Sequence, residues 1–437
     1  MNAATAPWAS KILLVAPGAS RKSLVDVPLG LLKLSSALGA AGVEAKLVRA
    51  GDFPSDTAFL EFVSALNPAF VGLYTYSESF PEICRLCSGL RRRGFLCILG
   101  GPHATLTPHA ALKSSGASAV VAGFAEETLV RMCFERNWKL IGKNCILPSG
   151  GRRRVCFSRK LGGPIHYGII KEFIIGPCAI VGASAGCPYK CSFCVVPSVS
   201  GSVWRAYPPE QVVNLMENLL KQKRIRRFAF LDDIFGFRKE WLRSFCKEII
   251  SRGLGGRIEW FCKERVDSVG LAELRLMKAA GCKLIAFGVE SGSQELLDRL
   301  NKRTSVRGIE STFARAKKAG IRTQAYFIVG CPGETESDLQ KTYELVFRIT
   351  PDVVQISNFV QYPEEGRSEA KRVFLGKSIT LNKGGGARLW SFKRRLLVNY
   401  YLNPMTLAGK IFAPGKLLHA LVIGFRALTN REVYPEK

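Results

Sequence analysis

Cys187-Pro-Tyr-Lys-Cys191-Ser-Phe-Cys194 sets three cysteines at C-x3-C-x2-C spacing in one short loop, just after the apolar run Ala179-Ile180-Val181. Three thiolates this close can hold three irons of a [4Fe–4S] cube, leaving the fourth iron open to a small molecule. A purely electron-transferring cluster would want a fourth cysteine. A structural zinc site would want four Cys or His ligands, and no histidine lies nearby. Phe193, beside the last cysteine, can shield such a cluster from water. The competing reading is three unrelated thiols in a chain that has 14 cysteines.

The elements that would position this loop follow from periodicity. From about 173 to 362, apolar runs alternate with helical spacing, and each run ends in polar residues or glycine. Arg227–Leu231 leads into Asp232 and Asp233. Arg257–Phe261 leads into Arg265 and Asp267. Leu284–Gly288 leads into Glu290 and Ser291, Ala325–Val329 leads into Gly330-Cys331-Pro332-Gly333, and Val353–Ile356 is a last strand. Chemistry in a β/α barrel gathers at strand carboxyl ends. The plain alternative for Asp232, Asp233 and Glu290 is capping of the helices that follow.

The cysteine motif and these strand ends resemble the radical SAM superfamily over roughly 190 residues. The resemblance implies a partial (β/α)6 barrel and S-adenosylmethionine (SAM) chelated to the open iron, which is cleaved to a 5′-deoxyadenosyl radical. It implies a cluster on Cys187, Cys191 and Cys194. Asp232 and Asp233 would receive the SAM amino group, Glu290 would bind the ribose hydroxyls, and Ser291 would also contact SAM. Arg265 would meet the SAM carboxylate or pair with Glu290, and the Gly330–Gly333 turn would approach adenine. Ala185 stands where the family often has Arg, and Cys331 reads as a packing thiol.

Residues 11 to about 140 also alternate. Lys11–Val15, Glu44–Val48, Ala69–Leu73, Leu96–Leu99 and Ala119–Val121 read as strands separated by single helices, the first opened by Pro28-Leu29-Gly30. This predicts an α/β domain with a doubly wound parallel sheet, whose ligands sit at the strand carboxyl ends. Those ends carry Tyr74-Thr75-Tyr76-Ser77, Gly100-Gly101-Pro102-His103 and Gly123-Phe124-Ala125-Glu126. The ensemble resembles the flavodoxin-like cobalamin-binding domain that precedes many radical SAM domains. It implies cobalamin contacts from Tyr74, Thr75, Ser77, Gly100, Gly101, His103, Gly123 and Glu126. The histidines are His103, His109, His166 and His419, and none completes the Asp-x-His-x-x-Gly motif that supplies a cobalt ligand elsewhere. Cobalt is therefore expected to lack a histidine, with His103 touching the corrin edge or capping a helix. The alternative is a Rossmann-like scaffold without a ligand.

The implied organisation is a cobalamin-binding domain at 1–145, a linker at 146–172, a radical SAM core at 173–369 and a short basic helical region at 370–437. Leu389–Leu402 and Lys416–Leu428 read as helices of that last region, expected to close the site as a lid, or else to lie on an anionic membrane. The 437 residues carry a net charge of +28, which invites an anionic partner. Yet the basic runs Arg91–Arg93, Arg152–Arg154 and Lys393–Arg395 are scattered and lack interleaved aromatics, so nucleic acid is not favoured. No apolar stretch approaches the ~20 residues of a membrane span. Scattered cysteines and an oxygen-labile cluster point to a reducing, cytoplasmic setting, with peripheral membrane contact as an addition.

The two domains in this order imply a methyltransferase acting on unactivated carbon, with hydrogen abstraction by the 5′-deoxyadenosyl radical and methyl transfer from methylcobalamin. The cofactors are then [4Fe–4S], SAM and cobalamin. The partners are a small-molecule substrate (a lipid, tetrapyrrole or secondary metabolite) and an electron donor such as flavodoxin or ferredoxin. Cyclisation or rearrangement without methyl transfer is the first alternative. RNA modification is the second, opposed by the placing of Cys84, Cys87 and Cys97 in and beyond one helix. A non-catalytic sensor is the third, opposed by the strand-end carboxylates.

Overall fold

The computed structural model describes residues 7–18, 28–136, 145–146, 169–170, 178–362 and 385–403. The second tail helix, the Arg152–Arg154 run, His166 and His419 lie outside the described residues. The chain divides into two compact units: Met1–Pro188 with Val195–Tyr207 and Gln361–Lys377, and Tyr189–Cys194 with Pro208–Val360 and Ser378–Lys437. The division passes through the cysteine loop, so Cys187 belongs to the first unit and Cys191 and Cys194 to the second.

The first unit follows β1 (Lys11–Ala16), α1 (Leu29–Ala40), β2 (Glu44–Arg49), α2 (Asp56–Leu66), β3 (Val71–Tyr74), α3 (Phe80–Arg92), β4 (Cys97–Gly100), α4 (Pro102–Leu106), α5 (Pro108–Ser115), β5 (Ala119–Val121) and α6 (Glu126–Phe134). Two short strands follow, β6 (Cys145–Ile146) and β7 (Ile169–Ile170). The sheet order is β2-β1-β3-β4-β5-β6, parallel except for β6. Its first five strands have the doubly wound, flavodoxin-like order 2-1-3-4-5. Alternation along β1 divides the core. Leu13 and Val15 join Phe59, Ile83 and Leu86 on one face, while Ile12 and Leu14 join Leu31, Leu38 and Leu129 on the other. The strands β1, β3, β4 and β5 are buried on both sides, as a parallel sheet between helical layers requires, while the edge strand β2 is partly exposed. The unit continues through β8 (Cys178–Val181), β9 (Ser184–Ala185), α7 (Val196–Val199) and β10 (Arg205–Ala206), with β9 and β10 paired antiparallel.

The second unit runs through α8 (Pro209–Lys223), β11 (Arg227–Phe230), α9 (Lys239–Ser251), β12 (Glu259–Arg265), α10 (Leu271–Ala279), β13 (Cys282–Glu290), α11 (Gln294–Arg299), α12 (Val306–Lys318), β14 (Arg322–Val329), α13 (Glu336–Ile349), β15 (Val353–Asn358) and α14 (Gly385–Tyr401). β11 to β15 lie side by side in sequence order, all parallel. This is the strand–helix repeat of a partial barrel. Its helix-covered face is aromatic: Phe230, Phe235, Phe245 and Trp260 have ring centroids 4.5 to 5.9 Å apart. Helix starts are capped by local chemistry. The Ser305 hydroxyl accepts from Gly308 N–H, and Thr335 forms a capping box with Asp338.

The first tail helix is present as α14 and packs within the second unit. Tyr400 and Tyr401 are fully buried. The Tyr401 hydroxyl accepts from Val354 N–H at 2.8 Å, and the Tyr400 hydroxyl donates to the Pro351 carbonyl. Leu389 lies 2.8 Å from where a Cβ on Gly330 would stand, so the helix also reaches the turn after β14.

The Glu290-Ser291-Gly292-Ser293 loop is clamped on α13. The Thr342 hydroxyl accepts from Gly292 N–H at 2.9 Å, and a Cβ on Gly292 would stand 2.2 Å from the Lys341 carbonyl oxygen. Backbone cannot yield as a side-chain tip can. Gly292→Ala should therefore destabilise the protein by about 2–3 kcal/mol, in the upper range of overpacking, read as a lowered urea midpoint with an unchanged m-value.

Candidate functional site

In the second unit the cysteine loop is gripped from beneath. Ser192 N–H donates to the Leu300 carbonyl at 2.9 Å and Asn301 Nδ2 to the Lys190 carbonyl at 2.6 Å. Cys194 N–H donates to the Cys191 carbonyl at 3.1 Å. Asn301 and Arg303 both take left-handed backbone (φ 50° and 55°), which lets the chain turn sharply at Lys302. Cys187, in the first unit, follows Gly186 at φ 86°, where a Cβ would stand 2.3 Å from the Val203 carbonyl; its own N–H donates to the Gly201 carbonyl at 3.1 Å.

Arg265 is the hub. It leaves the end of β12 buried, its guanidinium 3.7 Å from the Tyr189 ring centroid. Nε and Nη2 donate to both Asp267 oxygens at 2.9 and 3.0 Å, Nη2 also to the Lys302 carbonyl at 2.7 Å, and Nη1 reaches Cys191 Sγ at 3.7 Å. Burial opposes its charge, but the Asp267 hydrogen bonds and charge prevail and its pKa rises. The Lys302 ammonium donates to Glu290 Oε1 at 2.6 Å, both side chains buried. Arg265 therefore pairs with Asp267, not with Glu290; Glu290 takes Lys302. Glu290 itself sits at φ 70° beside a register shift in the β13–β14 ladder, a strained position of the kind that gathers at functional sites.

The other expected SAM residues take distinct environments. Asp232 is buried and Asp233 exposed. The Ser291 hydroxyl lies 3.2 Å from that of Thr342 and accepts from Ser293 N–H, so it braces its loop. In the turn after β14, Gly330 (φ 83°) and Gly333 (φ 74°) adopt backbone that favours glycine. Gly330 N–H donates to Glu334 Oε2 at 2.5 Å, and burial pushes the Glu334 carboxyl up to about 7.

Among the described residues, no three His, Cys, Asp or Glu close around a single metal ion. A cube that takes one thiolate per iron does not require that convergence. The thiols fit a cluster by contrast with their neighbours. Cys187, Cys191 and Cys194 are half-buried, whereas Cys246, Cys262, Cys282 and Cys331 are buried. Cys331 packs on Leu296, Leu300 and Phe193, and burial lifts its pKa to about 12, the behaviour of a packing thiol.

In the first unit the expected cobalamin loops are stitched together at the strand ends. The Thr75 hydroxyl donates to the Gly100 carbonyl at 2.7 Å and accepts from Ala104 N–H at 3.0 Å. The Thr105 hydroxyl donates to the Gly101 carbonyl at 2.8 Å and accepts from Gly123 N–H at 2.9 Å. Gly101 (φ 96°) must be glycine, since a Cβ would come within 2.8 Å of the Thr75 carbonyl. A Cβ on Gly100 would meet only the Val121 carbonyl, at 3.7 Å, so backbone there can be approached closely. Ala125 has ordinary helical backbone (φ −105°), which alanine adopts without strain. Tyr74 and Tyr76 meet edge to face at 5.0 Å, and Glu126 stands in the first turn of α6. His103 Nδ1 lies 3.1 Å from the Ser77 hydroxyl and Nε2 3.4 Å from that of Thr107, with the ring 4.1 Å from Phe80; burial lowers its pKa to about 4. Both imidazole nitrogens thus have protein partners.

Sequence reasoning passed over Tyr189, Lys263, Glu264 and Lys302. Lys302 stands twelve residues beyond its partner Glu290, after an unremarked short helix. Glu264 alternates to the helix side of β12. Its Oε1 accepts from Gly236 N–H at 2.5 Å and its Oε2 from the Ser268 hydroxyl at 2.8 Å. Burial nonetheless raises its pKa to about 7. A carboxyl raised in the folded state stabilises below its unfolded pKa, and that stability is lost as pH rises through about 7. Glu264→Gln cannot ionise. Its Tm relative to the parent should therefore rise between pH 5 and 8; a constant difference across that range would refute the assignment.

A model of the radical SAM superfamily matches residues 182–346, and one of the B12 binding domain matches residues 24–132. An uncharacterized methyltransferase of Pyrococcus horikoshii is 24% identical over 440 residues, covering 92% of this chain and 95% of its own. The anaerobic magnesium-protoporphyrin IX monomethyl ester cyclase of Cereibacter sphaeroides is 32% identical over 208 residues, covering 45% of this chain and 33% of its own length. Among solved structures, the radical S-adenosylmethionine methyltransferase TsrM of Kitasatospora setae, with cobalamin and a [4Fe–4S] cluster bound, superposes with a TM-score of 0.65 at 19% identity, covering 81% of this chain and 76% of its own. That likeness speaks to the fold. With a B12 binding domain ahead of a radical SAM domain, the chain belongs to the cobalamin-binding radical SAM family.

Proposed function

We propose that the protein is a cobalamin-dependent radical SAM methyltransferase acting on an unactivated carbon of a small molecule. The observation that carries this reading is the connected set Cys191–Arg265–Lys302–Glu290 at the strand ends of one domain, in a chain that also carries a B12 binding domain. Bound together, the cluster, SAM and cobalamin would supply a hydrogen-abstracting radical and a cobalt-carried methyl group. The protein's own residues bind, orient and exclude water. Cys187, Cys191 and Cys194 would hold the cluster, and the Arg265 donor beside Cys191 would stabilise added electron density on sulfur. Lys302 pairs with Glu290 and orients it, and Glu290 would meet the ribose hydroxyls. Asp232 and Asp233 would meet the SAM amino group, and Gly330 and Gly333 would offer backbone to adenine. The domain limits we assign are 1–145 for cobalamin, 146–172 for the linker, 173–369 for the radical SAM core and 370–437 for the tail.

A second reading keeps the cofactors and omits methyl transfer, giving a cyclisation; the similarity to the anaerobic cyclase favours it. That relative's name concerns a tetrapyrrole, and a tetrapyrrole is one substrate class consistent with this reading, alongside lipids and secondary metabolites. A reduced flavodoxin or ferredoxin would be the electron donor. RNA modification fits less well, because Cys87 and Cys97 are buried in the first unit's core. No helix among the described residues is long and apolar enough to cross a membrane.

Incubated anaerobically with methyl-deuterated SAM, a reductant and an extract containing the substrate, the protein should release 5′-deoxyadenosine and label one product with a single deuterated methyl group per 5′-deoxyadenosine. 5′-Deoxyadenosine with an unlabelled product would select the cyclase reading, and none at all would sink both.

The first unit generates a second expectation. With both His103 nitrogens engaged, cobalamin bound in the Co(II) state should show a paramagnetic resonance spectrum without nitrogen hyperfine splitting from a protein imidazole, unchanged in His103→Gln. Splitting that disappears in the variant would make His103 a cobalt ligand.

A further inference from the structure

The inner face of the second unit's sheet is left over by the network around Arg265. Alternation fixes which side chains it carries. On β12, Trp260, Cys262 and Glu264 are buried on the helix-covered side, where Trp260 meets Phe245 of α9 at 5.5 Å. Phe261, Lys263 and Arg265 therefore face the other way. On β13, Phe287 meets Phe313 of α12 at 5.4 Å, so Ala286 and Gly288 face inward. On β14, Ala325, Phe327 and Val329 are buried, which leaves Gln324 and Tyr326 inward. On β15, buried Val354 and Ile356 leave Gln355.

The strand register puts these residues in two rows. Lys263, Ala286 and Gln324 are neighbours in one; Arg265, Gly288, Tyr326 and Gln355 in the next. The central strand thus carries only a methyl group and a hydrogen. Two strand spacings make a trough about 10 Å wide, walled by Lys263 and Arg265 on one side and Gln324 and Tyr326 on the other. Its end near Gly288 is closed, because a Cβ there would come within 2.5 Å of Glu290 Oε1 and 2.9 Å of Lys302 Nζ.

Two polar groups on the walls, the Lys263 ammonium and the Tyr326 hydroxyl, have no hydrogen-bond partner among the described residues. Lys263 is half-buried, yet its ammonium makes no hydrogen bond or ion pair among the described residues. Burial lowers its pKa, against the attraction of Asp233 and Asp232. The Tyr326 hydroxyl has no partner among them either. Gln324 Nε2 donates to Gln355 Oε1 at 2.9 Å, which leaves the Gln355 amide hydrogens pointing onward. An ammonium, a phenol and an amide thus offer donors around a floor of small residues. Leaving such a cation partly desolvated is costly, and an anion recovers that cost through charge-assisted hydrogen bonds. Few, well-placed polar groups in a concave apolar setting are how small-molecule sites fix orientation.

We infer that this trough receives the substrate and that Lys263 anchors a carboxylate on it, with Tyr326 and Gln355 donating to further acceptors. The inference rests on the enzymatic reading above, and narrows its substrate to carboxylate-bearing small molecules.

The test uses the full-length, anaerobically reconstituted protein with 5′-deoxyadenosine and methionine saturating, so that the SAM carboxylate position is filled. Matched probes, indole-3-acetate with indole-3-acetamide and 2-naphthoate with 2-naphthamide, are compared by saturation-transfer NMR. Each carboxylate should bind at least about tenfold more tightly than its amide. Lys263→Gln should abolish the difference and Lys263→Arg should keep it. Tyr326→Phe, which removes one donor and little volume, should weaken the carboxylates a few-fold and provides a second reading should Lys263→Gln not fold. Equal binding of acid and amide by the parent protein overturns the inference. So does a Lys263→Gln variant that keeps the preference but binds methionine tenfold more weakly, since the anion would then be that of SAM. Failure of the parent protein to form 5′-deoxyadenosine would instead count against the enzymatic reading, and the acid–amide comparison would still stand on its own.

Discussion

A buried arginine that touches a cysteine sulfur, a carboxylate, a carbonyl and an aromatic ring constrains most of what surrounds it. Arg265 can be charged in its buried place only because Asp267 meets it through two hydrogen bonds. Its geometry then fixes three other elements: the cysteine loop through Cys191 and Tyr189, the Lys302 turn through a backbone carbonyl, and by that turn the orientation of Glu290. Each contact has a second support. The Lys302 turn is also tied to the cysteine loop by Asn301 and Leu300, and the Glu290 loop is clamped to α13 through Gly292. Elements far apart in sequence thus share one hydrogen-bonded frame, as a site that must hold a bulky ligand at fixed distances requires.

The first unit solves a similar problem without charge. Two threonines, Thr75 and Thr105, take backbone groups from neighbouring strand ends as partners. Hydroxyls serve here because each both donates and accepts, so one side chain ties two loops. Glycines at 100, 101 and 123 keep the edge bare. The result is a rigid, largely neutral rim, suited to a large ligand held by shape and many weak contacts.

Much of this was legible in the sequence. The cysteine spacing, the strand ends and the buried strand β1 all carry local signals: a continuous apolar run from Ile12 to Val15 and turn residues after each strand. The partial barrel and the doubly wound sheet follow from the same repeats. What sequence could not reveal was pairing. Arg265 was expected to meet the SAM carboxylate or Glu290, and its pairing with Asp267 instead depends on how the chain turns two residues on. Lys302 became Glu290's partner through the left-handed residues on either side of it, which leave no periodic trace. Lys263 reads as one more cation among many, and only the strand register sets it opposite Gln324 across Ala286. Interactions that depend on long-range register are invisible to local patterns, and they are the ones that define the site.

The hydrogen bond from Val354 N–H to the Tyr401 hydroxyl bears on how the chain is made. β15 ends the run of strands in the second unit, and a terminal strand invites pairing with foreign chains until it is covered. Synthesis proceeds from the N-terminus, so β15 emerges before the helix whose tyrosines pin it. During that interval the strand is a sticky edge on a nascent domain. Chaperone dependence during production should therefore concentrate there, and shortening the separation between strand and helix would shorten the exposure.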